Sequence, residues 1–334
     1  MGATRRAFVG AAALCTSASL GVDRALAQGT GAAAAGLHLL VPGAPGGGWD
    51  GTAQAMAKAL RETGAVTGEI RVEHLPGAGG VLALPRLVTG LRGRPDTLMV
   101  GGLTLVSSPI VHQSALTLLD TAPVARLEGE PLVVAVPSGS PLRTLADFAR
   151  ALRADPLGLR VAGGSEGSAD HILLAMVARE LGVDAFGLAY LPFSGGDQAA
   201  EAVLDGRARA GISNWSEFAP RVEAGRMRAL ALSGDARFVG VDVPTLREGG
   251  LDVVLHNWNS VFAPPGLDEQ DRARLDALVE AMARSPAWER EAARRRWRLL
   301  YLPRREFELF LRTEMRSVEA TLARLGLGQP RQGN

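Results

Sequence analysis

The chain has 334 residues, 36 basic against 35 acidic side chains, a formal charge of +1 and one cysteine. That balance provides no basic field for nucleic acid or anionic lipid, and a lone cysteine excludes a disulfide framework. The length suffices for two domains, each with its own apolar core.

Residues 1–27 read as an export signal. Arg5 and Arg6 precede a small-residue apolar stretch, and Ala25-Leu26-Ala27 supplies a cleavage site. The arginine pair resembles a twin-arginine signal, although the general secretory route fits as well. The apolar run is too short and too alanine-rich to favour a membrane span. Leu14 before Cys15 is a poor fit to a lipidation signal. The mature protein is therefore expected in the periplasm, with its only cysteine removed. No later segment holds 18 uninterrupted apolar residues, so a soluble protein is expected. Residues 28–36 read as a flexible leader.

Beyond that, strands and helices alternate. Strands are predicted at 37–41, 69–75, 97–101, 131–136, 159–164, 188–193, 208–213, 227–234 and within 253–266. Ala53, Met56, Ala57 and Leu60 recur at helical spacing. Thr144 with Asp147 marks a helix start. Further helices are predicted up to about 181, over 197–204 and 217–225, and at 268–284, 286–297 and 304–326. The alternation predicts an α/β protein with parallel sheets covered on both faces.

In such sheets ligands sit at the carboxyl ends of strands, where loops lead into helices. Three such loops share a composition: residues 42–50 (PGAPGGGWD), 163–171 (GGSEGSADH) and 193–199 (FSGGDQA). Each is glycine-rich, carries a hydroxyl or carboxylate near a helix start, and opens a helix. The free N–H groups and positive dipole end of a helix start bind anions without lysine or arginine. Glycine lets an anion approach the backbone. Any one loop is equally an ordinary turn in which Asp50, Ser168 or Asp197 only caps its own helix. Three together point to a carboxylate or phosphate site.

Other chemistries fit less well. Residues 43–51 lack both the G-x-G-x-x-G and the Walker spacing. Lys58, the only lysine, is expected on the solvated face of its helix. The five histidines show no metal-ligand spacing, so neither metal nor cofactor is expected. Gly163, Ser165 and Gly167 match the nucleophile-elbow pattern of a serine hydrolase, for which His256 is the one available base. His171, just after the glycines, either reaches a ligand or is capped locally. Trp49, Trp215 and Trp258 lie beside Asp50, Asn214 and Asn257, where an indole makes either a ligand wall or a core contact.

Taken in order, VPGAPGGGWD (41–50), PGAGG (76–80), GGSEGSADH (163–171), the stretch 191–218 and APPG (263–266) resemble the substrate-binding proteins of tripartite tricarboxylate transporters, the TctC or Bug family. The resemblance implies a type II periplasmic-binding-protein fold of the Venus-flytrap kind, with two α/β domains around a ligand cleft. It implies a monomer that captures a small di- or tricarboxylate, citrate-like, and delivers it to membrane transporter subunits without catalysis. Carried onto this chain, the ligand contacts fall on Ala44, Pro45, Gly46, Gly47, Gly48, Trp49 and Asp50. In the second loop they fall on Gly164, Ser165, Gly167, Ser168 and Asp170. In the third they fall on Ser194, Gly195, Gly196 and Asp197, with Asn214 and Trp258 alongside. Two departures stand out. Trp258-Asn259-Ser260 replaces the family's usual Trp-Arg-Gly, and an Asp-Gly-Tyr before residue 97 is missing. The expected domains are 28–136 plus 251–334, and 137–250. The alternatives are a periplasmic hydrolase using Ser165, or a sensor that presents its loaded form to a signalling receptor.

Overall fold

The computed structural model describes residues 34–238 and 240–327. The expected signal over 1–27, and most of the flexible leader after it, lie outside them.

The apolar run LHLLV forms β1 (Leu37–Val41) at the expected residues. It is flanked in parallel by β2 (Ile70–His74) and β3 (Thr97–Gly102). The next strand departs from expectation. β4 (Ala122–Pro137) runs 16 residues, although only residues 131–136 were predicted. Its first part carries Pro123, Arg126, Glu128, Gly129 and Glu130, which hide any alternation. Residues 132–137 pair antiparallel with β7 (Ala210–Asn214) and β8 (Met227–Leu232). Residues 122–131 pair antiparallel with β9 (His256–Ala263), and residues 125–129 also pair with β10 (Arg298–Pro303). Pro131, which has no N–H to give a ladder, stands where the partners change.

In chain order β5 (Val161–Gly163) and β6 (Tyr190–Pro192) come between β4 and β7; they pair parallel with each other, and β5 also runs parallel to β7. The ten-stranded sheet has the order β2-β1-β3-β9-β4-β7-β5-β6, with β8 and β10 also on β4. The all-parallel expectation is thus corrected. Each half of the sheet has a parallel section, but β4 and β9 cross between the halves and are antiparallel to their neighbours. β10 fills the gap left between two predicted helices. The helix before it ends at Arg295, because Arg296 turns left-handed at φ 56°.

The helices are α1 (Gly48–Glu62), the single turn α2 (Ala83–Pro85), α3 (Leu103–Val111), α4 (Leu145–Ala154), α5 (Ala169–Glu180), α6 (Gly196–Leu204), α7 (Trp215–Glu223), α8 (Glu269–Ala283), α9 (Pro286–Arg295) and α10 (Arg304–Arg324). The expected start of α4 is present as a reciprocal capping box between Thr144 and Asp147. Apolar residues of α1, α8 and α9 bury Met56, Leu60 and Trp288 against β1 and β3. Those of α6 and α7 bury Phe218 against β7 and β8. A third cluster joins α3, α4, α5 and α10 around Phe148, Trp258, Phe262 and Phe307. Burying one such side chain stabilises by about 1.5–3 kcal/mol. The cores thus anchor the strand ends from which the glycine loops emerge.

Candidate functional site

The first loop leaves β1 and turns at Gly46, whose φ of +82° is left-handed and favours glycine. The turn lets the Gly46 N–H donate to Asp50 Oδ2 at 2.8 Å. Asp50 is therefore not the helix cap expected from the sequence. Gly47 holds the cap position with extended backbone, and Asp50 reaches back from the first turn. Its other oxygen accepts from His74 Nε2 at 2.8 Å and Gln54 Nε2 at 3.1 Å. Burial works against the charge, but the bonds from Gly46, His74 and Gln54 hold its carboxyl below the usual range. The amides of Gly48, Trp49 and Asp50 have no partner among the described residues.

Trp49 lies against two glycines elsewhere, beside other close neighbours: Leu105 at Gly80, and the Trp258 carbonyl and Asn259 at Gly102. A Cβ on Gly80 would lie 3.1 Å from the indole, and one on Gly102 would lie 3.3 Å from Nε1. The PGAGG turn at 76–80 and the end of β3 thus flank this ring. Gly77, Gly79 and Gly80 also have positive φ.

The second loop leaves β5. Asp170 Oδ2 accepts from the Gly164 N–H at 2.6 Å. Burial, then repulsion from Glu217, pushes the Asp170 carboxyl up to about 8 despite that bond. Ser168 occupies the backbone cap position without a side-chain cap bond, and its Oγ lies 3.4 Å from the Tyr190 hydroxyl. That hydroxyl donates to the Gly164 carbonyl at 2.8 Å. The Tyr190 ring stacks on His171 at 4.0 Å. His171 Nδ1 accepts from the Gly167 N–H at 3.2 Å, and burial pushes the ring down to about 4. It is a neutral, locally capped histidine.

In the third loop Gly195, not Asp197, holds the cap position of α6. The Gly196 N–H donates to Glu217 Oε1 at 3.2 Å, and Ser213 Oγ donates to Glu217 Oε2 at 2.5 Å. The Ser194 N–H donates to Gln198 at 3.3 Å. Asp197 is exposed and pairs with Arg221 at 2.6 Å.

Asn214 accepts from Asn257 Nδ2 at 3.0 Å, joining β7 to β9. The rings of Trp215 and Trp258 are buried; of the three candidate tryptophans only Trp49 is partly open. Trp258 stands edge-on to Phe307 and Phe310.

Sequence reasoning missed Tyr190, Glu217 and Glu128. Glu128 is fully buried. Its Oε1 accepts from Thr52 Oγ1 at 2.8 Å and Asn259 Nδ2 at 2.9 Å, and burial pushes it up to about 7. Asn259 stands where the resembled pattern carries arginine, which was the one available signal for this buried acid.

The hydrolase alternative fails on geometry and on kinship. His171 Nδ1 is taken by Gly167, and His256 Nε2 by Asp235 at 3.0 Å. Neither forms a hydrogen bond with Ser165, as an activated nucleophile needs. A family model described as "TctC: Tripartite tricarboxylate transporter family receptor" matches residues 52–326.

The chain belongs to this family. TctC proteins are periplasmic solute-binding proteins, not enzymes. BugT of Bordetella pertussis is 27% identical over 260 residues, which cover 75% of this chain and 77% of BugT. MatC from Rhodopseudomonas palustris, solved with bound malate, superimposes with a TM-score of 0.71 at 25% identity, covering 86% of this chain and 98% of MatC. A second R. palustris protein, solved with adipate, gives 0.74 at 21% identity, covering 87% and 97%. The fold is that of TctC and Bug periplasmic binding proteins. Among the described residues no helix is long and apolar enough to cross a membrane, and no cluster of side chains suits a metal ion.

Proposed function

We propose that this TctC protein captures a small di- or tricarboxylate on the backbone amides of its three glycine loops. It then delivers the ligand to the membrane subunits of a tripartite tricarboxylate transporter. The observation that carries the reading is the set of helix-start amides without partners, at Gly48, Trp49 and Asp50 and again at Ala169 and Asp170. Arg221, beside the third loop, is already held by Asp197 and Glu201, so backbone rather than cation does the recognising. The malate and adipate of the two structural relatives support a dicarboxylate. Asp170, neutral over most of the range below about 8, takes one negative charge away from the approach of an anion.

The protein acts as a monomer of two lobes, with the boundary in β4 where its partners change at Pro131 and again before β9. Ligand contacts from both lobes favour hinge closure. The ligand-binding residues are those of 44–50, 164–170 and 194–197, with Asn214 beside them; the buried Trp258 serves as support.

A thermal-shift series with malate, adipate and citrate tests the reading. A true ligand at a hundredfold excess over Kd stabilises by about 2.7 kcal/mol, and small-angle scattering should then show a smaller radius of gyration. No stabilisation by any small carboxylate overturns the assignment.

A further inference from the structure

We infer a second binding site, for a small α-amino acid with an apolar side chain, in a cavity between α5, α10 and the start of β9. The cavity holds about 220 Å³. It shares α5 with the second glycine loop and Trp258 with the support of the first site, but the inference does not rest on the carboxylate reading.

Arg126 of β4 enters from one side. Its Nε donates to the Leu300 carbonyl at 2.8 Å, and its guanidinium lies 4.3 Å over the Phe310 ring. Among the described residues no carboxylate lies within salt-bridge distance of it and its terminal nitrogens have no hydrogen-bond partner, although the charge of Glu314, which also lines the cavity, acts on it. Arginine stays charged in a protein, so a half-buried guanidinium with free N–H groups and no hydrogen-bonded anion is suited to take one up.

Glu314 of α10 also lines the cavity. One of its oxygens accepts from Trp258 Nε1 at 3.1 Å; the other has no partner among the described residues. His256 adds a second acceptor. Its Nε2 is occupied by Asp235 at 3.0 Å, and its Nδ1 is buried without a partner. Ile172, Met176 and Val318 supply apolar wall.

The occupant must bring an anion to Arg126, a donor to Glu314 and His256, and an apolar body to the wall. A plain carboxylate satisfies the first and meets Glu314 with like charge. A plain amine does the reverse. A zwitterion satisfies both, and an extra charge on its side chain would be buried against Ile172 and Met176 at high cost.

Calorimetry on the full chain tests this with leucine, 4-methylpentanoate and 3-methylbutylamine. The methyl resonance of Met176, assigned through Met176→Leu, is followed in methionine-labelled protein. Leucine should bind one site and shift Met176, and each analogue should bind at least tenfold more weakly. Arg126→Gln should weaken leucine at least tenfold while leaving the response to malate unchanged. Absence of saturable leucine binding overturns the site, as do equal affinities for the three probes or an unshifted Met176. If Arg126→Gln does not fold, the analogue series and the Met176 shift on the wild-type chain decide alone. Malate failing to bind while leucine behaves as expected would sink the carboxylate reading and leave this one standing.

Discussion

In the first glycine loop Asp50 reaches back to the Gly46 amide; in the second Asp170 reaches back to the Gly164 amide. The two clasps look alike in outline and differ in charge. Asp50 has His74 and Gln54 as further donors and stays ionised. Asp170 is buried near Glu217 with one amide donor and holds its proton to about 8. Glycine is also needed for different reasons. Gly46 supplies a left-handed turn in open space. Gly163 has ordinary dihedrals, but a Cβ there would meet the Tyr190 hydroxyl, Asp170 Cβ at 2.9 Å and the Ile212 carbonyl at 3.1 Å. The same turn composition therefore hides a dihedral constraint in one loop and a packing constraint in the other.

The sharpest test of that difference is a pair of glycine variants. Gly163→Val must displace backbone and the half-buried Tyr190, so the cost should reach or exceed the about 1–3 kcal/mol typical of overpacking. Gly46→Ala meets no neighbour and should cost only the left-handed penalty of about 1–2 kcal/mol. Chemical denaturation measures both. A Gly46→Ala variant less stable than Gly163→Val would break the comparison.

Charge is tested next by Asn at each clasp. At pH 7, Asp50→Asn exchanges an ionised acceptor of three bonds for a neutral one and should cost about 1–2 kcal/mol. Asp170→Asn mimics the protonated acid and removes the ionisation of the unfolded chain, so at pH 7 it should cost nothing and should stabilise. Equal losses at the two positions would show that the two acids share one charge state.

The clasps should also respond oppositely to pH. The folded value of Asp170 lies above its unfolded 3.8. Its contribution is complete below that unfolded value and is lost as the pH rises toward about 8. Glu128 and Glu130, raised by burial to about 7 and about 8, act in the same direction. Asp50, lowered on folding, contributes above its unfolded value and is lost on acidification. The melting temperature of Asp170→Asn relative to wild type should therefore climb between pH 5 and 8. A flat difference would place a charged Asp170 in the second loop.

Much of the fold could be read from the sequence because its signals are local. LHLLV is a strand by its own composition, and Thr144 with Asp147 is a helix start by its own spacing. The first part of β4 could not be read, because Glu128 and Glu130 are polar residues placed inside by tertiary neighbours. β10 was hidden by helical stretches on both sides. At the candidate site the glycine loops were visible, but the reasons for single glycines were not. Trp49 is flanked by Gly80 and Gly102, which lie far along the chain. Likewise, nothing in GGSEGSADH reveals that Tyr190 will stack on His171.

The smallest expected effect concerns Lys58, which sits on α1 beyond the first loop. The sequence reads it as a solvated surface charge, and it is exposed. The structure also pairs it with Glu291 at 2.6 Å, the lysine about half exposed and the carboxylate buried. Glu291 is not left alone without it. Arg294 approaches at 2.6 Å and Arg295 at 3.4 Å, and its carboxyl is held down to about 2, first by Arg294 and then by Lys58. Removing one of three cations from a solvent-screened cluster should cost no more than about 1 kcal/mol. Ligand affinity should not move, because the first loop offers amides and Lys58 already has its carboxylate. Calorimetry of Lys58→Ala with malate or adipate measures this. A tenfold loss of affinity would mean that the first loop recognises its anion through a side-chain cation. The contrast drawn between Asp50 and Asp170 would then describe the folding of the loops and not their binding.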